Sequence, residues 1–354
     1  MLKVKFLLPC FTCFFIVTNS FAKIWRVNNN SSVTANFTSL IAAHNSATVN
    51  AGDTLHLEAS ATSYGGLTIT KKLTIIGPGY LLNENLNLQA VPLSAKVDAI
   101  TINESGAGTV LIGLDFVNSN LQIFASNIVV RRCRFSSADD SQVGTINIYY
   151  HSTSSSIPAN NIVIAENYGL IIMVNYPSSS ILISNNYLTR HGFEGDGTTA
   201  EIIGMHANAV ALIQNNIFRK GRVNASNSSL INNIMYAGSF VGSGNMVLNN
   251  IGNTTQFGNT DGNQESVVMS NVFLGAGTGI SRDKQWQLKA GSPAIGAGNG
   301  STPGSPIDCG MFGGHKPYVL SGIPPIPAIY SFTNQPVGSN TDPIDVTIKV
   351  RSNN

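Results

Sequence analysis

The chain has 354 residues, of which 43% are hydrophobic and 11% are charged. The apolar fraction is too high for a disordered chain, and the charged fraction is less than half of the roughly 25% that is usual in soluble domains. Because the 34 Gly and the many Asn favour turns over helices, the composition predicts an all-β fold with many repeated turns.

The first 22 residues have the pattern of a secretory signal peptide. Lys3 and Lys5 precede an apolar run from Phe6 to Val17, and Ser20 and Ala22 then give the small-x-small pattern of a cleavage site. A run of about 12 apolar residues is shorter than the roughly 20 that a membrane-spanning helix needs. We therefore expect residues 1–22 to be removed, which gives a secreted or cell-surface protein with no membrane span.

The charge of the chain argues against a nucleic-acid partner, and its cysteines leave one disulfide bond open. Removal of the signal peptide takes two Lys and no acidic residue, which leaves the chain formally neutral. A nucleic-acid partner is not expected, because no basic run is longer than the pair Arg131 and Arg132. Cys133 and Cys309 are the two remaining cysteines, and whether they pair stays open.

A short apolar phrase that is closed by a polar residue recurs through the middle of the chain. The closing residues are Cys133, Asn167, Asn186, Asn216, Asn233, Asn250 and Asn271. The shortest steps between them, 17 residues, leave no room for a helix, so each repeat should be one coil of short parallel strands. Stacked coils would bring these Asn about 4.8 Å apart, as a ladder of side-chain amides in the left-handed backbone conformation.

The two ends and two wide steps complete the predicted organisation. We expect a capping helix at about 37–47, a solenoid over 23–322, and a Pro-rich hinge with a β tail over 323–354 that covers the last coil. An outer-membrane sorting tag is the alternative for the tail. Steps of 34 and 30 residues predict enlarged turns at about 136–160 and 189–208, where solenoids often carry function.

The opening segment GDTLHLEASATSYGGLTITKKLTIIGPG, the Asn-ended phrases and the closing segment at 291–313 resemble the pectate-lyase-like superfamily of secreted bacterial proteins. The resemblance covers about residues 24–320 and implies a single-stranded right-handed parallel β-helix. It implies polysaccharide lyases, glycoside hydrolases and esterases, but also noncatalytic adhesins and binding proteins. The sequence motifs of those enzymes are missing: no Gly-His-Gly and no Arg-x-Pro-x-x-Arg segment is present.

One dense polar segment is the first candidate site. Arg190 and His191 have the chemistry of a base and a neutralising group for β-elimination beside a uronate. Glu194 and Asp196 are candidates for substrate contacts or for calcium, the one cofactor kept open; no other metal is expected. The alternative interpretation is a solvated polar loop whose Gly residues make turns.

A second candidate is the residue that follows each ladder position. If Arg134, Tyr168 and Tyr187 point outward on neighbouring coils, they form a stripe that suits a sugar chain. If the bend turns this file inward, the same residues are ordinary core.

The expected function is an extracellular carbohydrate-binding or rigid surface module, with a polysaccharide or cell-surface glycan as partner. The alternative is a polysaccharide lyase or glycoside hydrolase that acts on uronate-containing polysaccharide. The sequence leaves the oligomeric state undetermined.

Overall fold

The computed structural model describes residues 22–117, 119–137, 139–151, 154–190 and 199–352. The predicted signal peptide lies outside the described residues except for Ala22. One helix, α1, spans Leu40–Asn45, and four short 3-10 helices span Glu104–Gly106, Met269–Asn271, Lys284–Trp286 and Leu320–Gly322. The strands, in chain order, are β1 (Ile24–Val27), β2 (Thr54–Leu57), β3 (Leu67–Ile69), β4 (Thr74–Ile76), β5 (Ile100–Ile102), β6 (Val110–Ile112), β7 (Leu121–Ile123), β8 (Ile128–Arg131), β9 (Gly144–Ile148), β10 (Tyr150–His151), β11 (Ser154–Pro158), β12 (Ile162–Ala165), β13 (Tyr168–Val174), β14 (Ile181–Ser184), β15 (Tyr187–Thr189), β16 (Glu201–Met205), β17 (Ala211–Gln214), β18 (Ile217–Lys220), β19 (Arg222–Asn224), β20 (Ser229–Ile231), β21 (Ile234–Met235), β22 (Ser239–Val241), β23 (Met246–Leu248), β24 (Ile251–Gly252), β25 (Ala328–Asn334) and β26 (Val346–Arg351).

Two long parallel sheets confirm the predicted parallel β-helix. The first sheet has ten strands in the order β1-β2-β4-β6-β8-β12-β14-β17-β20-β23. The second has twelve and divides at the long strand β13, which pairs with both β15 and β16. Successive coils stay in register, because Ile162 pairs with Ile128 on one side and with Ile181 on the other. Each coil therefore places its apolar residues over those of the next.

The core fills the inside of the coils because alternate strand residues are apolar. In β8, Ile128 and Val130 have no exposed surface, whereas Val129 is half-buried on the outer face. A strand places successive side chains on opposite faces, so one face of every short strand packs against the core.

The ladder of asparagine amides runs through five coils. Asn167 Nδ2 donates to Asn186 Oδ1 at 2.9 Å, and the same bond continues through Asn216, Asn233 and Asn250 at 2.9–3.0 Å. The predicted member Asn271 is wrong: it lies exposed at the end of a 3-10 helix, and Asn263 accepts the next bond from Asn250 at 3.1 Å. The chain reaches this position after only 13 residues and then leaves the coil.

The left-handed backbone belongs to the residue before each ladder position, which corrects the sequence prediction. Six consecutive coils have such a residue with φ of 53–59°, namely Arg132, Glu166, Asn185, Asn215, Asn232 and Asn249. In the Asn-Asn pairs, the first residue thus makes the bend and the second makes the ladder. Asparagine is suited to the first role because its short polar side chain tolerates positive φ.

Residues 267–327, here called the return segment, fold back over the outside of the coils. The side chains of the left-handed residues hold it: Asn185 Nδ2 donates to Gly313 O at 2.8 Å, and Arg132 Nη1 donates to Ile323 O at 2.7 Å. Asn249, three coils after Asn185, donates to Ala297 O at 2.9 Å. The last part of the segment therefore runs from the C-terminal coils towards the N-terminal ones.

The tail lies beside the N-terminal coils, and not over the last coil as predicted. Strands β25 and β26 form an antiparallel hairpin. Ala90 N donates to Ile329 O at 2.8 Å, and Arg351 Nη2 donates to Leu88 O at 2.9 Å. The reason is the direction of the return segment, which carries the chain away from the last coil before the tail begins.

The predicted N-terminal helix is shorter in the structure. Ser39 is its N-cap and its Oγ accepts a hydrogen bond from Ala42 N at 3.0 Å. Leu40 and His44 are buried against the body of the protein, whereas Ile41 is 50% exposed. Phe37 precedes the helix and pairs with Val27 as an isolated bridge.

Candidate functional site

The file of residues that follows the ladder points outward and is nevertheless buried. Tyr168 pairs with Tyr187, which pairs with Ile217, at the start of successive strands of the second sheet. Tyr168 is 1% and Tyr187 5% exposed, because the return segment packs on this file and forms a second hydrophobic core with it. Neither of the two interpretations of the stripe is complete: the side chains leave the solenoid interior, but the chain itself covers most of them.

Arg134 is held in a buried ion pair. Its Nε and Nη2 donate to the two carboxylate oxygens of Asp115, both at 2.8 Å. Burial disfavours the charge, but Asp115 outweighs it and raises the pKa of Arg134. A bidentate pair this well satisfied is structural, so Arg134 is not placed to contact a ligand.

The first candidate segment is only partly described. Arg190 donates from its backbone to Lys220 O at 3.0 Å and from Nη1 to Glu201 O at 2.9 Å. His191, Glu194 and Asp196 lie outside the described residues, so their roles in catalysis, substrate contact or calcium binding stay predictions.

A cleft of about 570 Å³ lies where the return segment meets the outer face of the second sheet. Its aromatic lining comes from the coils and from the return segment together: Tyr168, Tyr187, Tyr236, Phe273 and Trp286. Tyr168 and Tyr187 stack with ring centroids 4.7 Å apart, and Trp286 continues the row 4.8 Å from Tyr187. These rings form a rigid apolar wall, because each is held by the next.

Charged groups complete the cleft. The Arg219 guanidinium lies 4.2 Å from the centre of the Tyr236 ring, and no carboxylate among the described residues pairs with it. By contrast, Arg282 is paired with Glu84 and lies 3.6 Å from Asp140 Oδ2. Asp140 also accepts a hydrogen bond from the Tyr168 hydroxyl at 3.2 Å. Among the described residues, Arg219 is therefore the cation of the cleft that has no carboxylate partner.

Two further polar groups shape the cleft. Exposed Asp139 accepts hydrogen bonds from the hydroxyls of Ser137 and Ser141, which lower the pKa of its carboxyl and keep it ionised. The indole N–H of Trp286 is buried and has no acceptor among the described residues. A buried donor without a partner costs about 1–3 kcal/mol, so a ligand oxygen in reach of Trp286 would be stabilised.

Sequence reasoning missed Arg219, Tyr236 and Trp286. A signal for the first two was present: Arg219 and Tyr236 each lie three residues after a ladder Asn, Asn216 and Asn233. Trp286 carried no such signal, because the place where the return segment crosses the coils is not encoded in the repeat.

The structure also bears on the two cysteines, on metal-binding groups and on membrane-spanning helices. Cys133 and Cys309 are buried free thiols. Over the described ranges, no group of three His, Cys, Asp or Glu side chains is arranged to hold a metal ion. No helix in this part of the chain is long and apolar enough to cross a membrane.

Fold and site together define a parallel β-helix with an aromatic cleft under its own C-terminal segment. Among solved structures, pectate lyase Pel9A is similar with a TM-score of 0.37 and 14% identity over 82% of this chain and 96% of the other. Pectate lyase C from Erwinia chrysanthemi, determined with Ca²⁺, is similar with a TM-score of 0.26 and 15% identity over 71% and 80%. No family model and no curated protein matches the chain. Similarity this distant carries no argument about activity.

Proposed function

We propose that the protein is an exported carbohydrate-binding β-helix whose cleft holds part of an acidic polysaccharide. The observation that carries the proposal is Arg219, a guanidinium stacked on Tyr236 at the cleft wall without a carboxylate partner among the described residues. Flat aromatic rings suit sugar faces, and guanidinium groups bind carboxylates with directed hydrogen bonds.

The carboxyl groups of the described residues whose pKa values are shifted suit ligand binding. A glycosidase needs a carboxylic acid with a raised pKa to protonate the leaving group. Four carboxyl groups of the described residues have a shifted pKa, and in each the pKa is lowered: Asp53, Glu58, Glu84 and Asp139. Asp139, which lines the cleft, is therefore ionised at neutral pH and suited to accept hydroxyl hydrogen bonds.

The chain offers an intrinsic probe for this proposal. It has two tryptophans, and only Trp286 lines the cleft. Trp25 lies in β1, where its indole N–H donates to Asp53 Oδ2 at 2.8 Å. Acidic and neutral polysaccharides are titrated against the protein, and quenching or a shift of tryptophan emission that disappears in Trp286→Phe reports binding in the cleft.

Matched arginine variants test the charge. Arg219→Ala should weaken the binding of uronate polymers about tenfold or more, because a charge-assisted hydrogen bond is worth about 1.5–3 kcal/mol. Arg26→Ala is the control, since Arg26 is half exposed and pairs with Glu58 far from the cleft lining. If neither substitution changes binding, or if no glycan perturbs Trp286, the proposal is wrong.

The lyase alternative is tested in the same samples. A lyase that uses Arg190 and His191 would release unsaturated uronates, seen as a steady rise in ultraviolet absorbance that Arg190→Ala abolishes. That result would replace the binding module by an enzyme. A flat absorbance trace together with Trp286 quenching supports binding. If neither turnover nor glycan binding is observed, the remaining interpretation is a structural surface protein.

A further inference from the structure

The C-terminal hairpin exposes an apolar face. Across the pair β25 and β26, Ile329 lies opposite Val350 and Phe332 opposite Ile348, and Val346 follows on the same face. These five side chains, here called the hairpin face, are each 45–62% exposed. The opposite face carries Ser331, Thr333, Thr347 and Lys349. An isolated two-stranded hairpin is only marginally stable in water, and an exposed apolar face of this kind is typical of an interaction surface.

The hairpin face continues onto the body of the protein. Ile329 and Phe332 share an apolar cavity of about 500 Å³ with Leu57 and Val91. Phe332 also shares a smaller cavity with Leu86, and Val91 and Leu86 are 52% and 64% exposed. Exposed apolar groups are therefore gathered in one place, between the hairpin and the loop that follows β4.

We propose that the hairpin face is a dimer interface and that its occupant is the same face of a second copy of this chain. A two-fold axis would pack the two hairpins face to face, about 10 Å apart as in stacked sheets. Each copy would then supply the cover that the other lacks.

Charge and area favour this occupant. The hairpin segment carries Asp342, Asp345, Lys349 and Arg351, so it is formally neutral and a second copy meets no net repulsion. It has no basic cluster that would attract an anionic membrane. The five side chains of the hairpin face, together with Leu86 and Val91, present on the order of 500 Å² of apolar surface per copy. A standard interface buries about 800 Å² per partner. These apolar side chains would form the centre of the interface, and the polar residues around them would form its rim.

Neighbouring residues of β26 provide a matched test. Ile348 lies on the hairpin face and Thr347 on the opposite face, both exposed. Sedimentation velocity of the full chain over a range of concentrations should show a dimer. Ile348→Lys should raise its dissociation constant about tenfold or more, because each dimer then buries two unpaired charges, whereas Thr347→Lys should leave it within about twofold.

Controls separate folding, lipid binding and the cleft. Circular dichroism should be unchanged in both variants; if Ile348→Lys does not fold, Ile348→Ser takes its place with a smaller expected increase. Trp286 quenching by glycans should survive in both, since the cleft is a separate site. The proposal is overturned if the wild type is monomeric at every concentration, if Ile348→Lys dimerises as tightly as the wild type, or if the hairpin face of a monomer instead takes it to neutral phosphatidylcholine vesicles.

Discussion

The Asn215-Asn216 pair allows the two asparagine roles to be separated with adjacent substitutions. Asn216 is fully buried, and its Oδ1 accepts from Asn186 N and Nδ2, both at 3.0 Å. Its Nδ2 donates to Asn233 Oδ1 at 3.0 Å and to Ile183 O at 2.9 Å. Asn215 has φ of 54°, and among the described residues its side chain makes one hydrogen bond, from Nδ2 to Asp308 O at 3.1 Å.

Asn216→Ala should be much more damaging than Asn215→Ala. The first removes about four buried hydrogen bonds at roughly 1 kcal/mol each and leaves partners unsatisfied, which gives roughly 4 kcal/mol. The second costs about 1–2 kcal/mol, from one bond and the strain of Ala at positive φ. Asn215→Gly should cost less than Asn215→Ala, because Gly adopts positive φ freely.

Chemical denaturation measures these differences. Midpoints are followed by circular dichroism and by tryptophan fluorescence, and coincident curves justify a single free energy of unfolding. Equal losses for Asn215→Ala and Asn216→Ala, or a larger loss for Asn215→Ala, would refute the assignment of the ladder to the second asparagine.

Three other expectations concern titration. Burial raises the pKa of the Cys133 and Cys309 thiols to about 12, so alkylation mapped by mass spectrometry should label both only after unfolding; labelling of the native protein would contradict this. Burial also raises the pKa of Tyr80 and Tyr318 well above 10, so their stabilising effect is present below pH about 10 and lost as the pH rises, and tyrosinate absorbance from them should appear only with unfolding. Burial opposes ionisation of Glu84, but the hydrogen bonds and charge of Arg282 outweigh it and lower the pKa of Glu84. The destabilisation caused by Glu84→Gln should therefore be present at neutral pH and shrink as the pH falls below about 4. A difference in melting temperature between wild type and Glu84→Gln that stays constant with pH would count against this.

The repeat determined the solenoid. Recurrent phrases with steps as short as 17 residues indicate coils of short strands, because such steps leave no room for a helix in the repeat. The files of Asn167, Asn186 and Asn216 followed directly, since identical residues at equivalent positions of a stacked coil must meet. What the repeat left undecided was which of two adjacent asparagines makes the bend, because either position is compatible with the pattern.

The cleft was decided by tertiary structure. Tyr168 and Tyr187 were visible in the sequence as one file, but their burial depends on the return segment, whose path is set by bonds such as those from Asn185 and Asn249 to its backbone. Those bonds join residues about 50 to 130 positions apart and obey no period.

The same reason explains the tail. A β tail was predicted, but the strand Ala328–Asn334 was not, and the position of the tail beside the N-terminal coils follows from the direction in which the return segment crosses the solenoid. A periodic sequence encodes contacts between neighbouring coils, whereas the position of the aperiodic segment depends on contacts with residues that are distant in sequence.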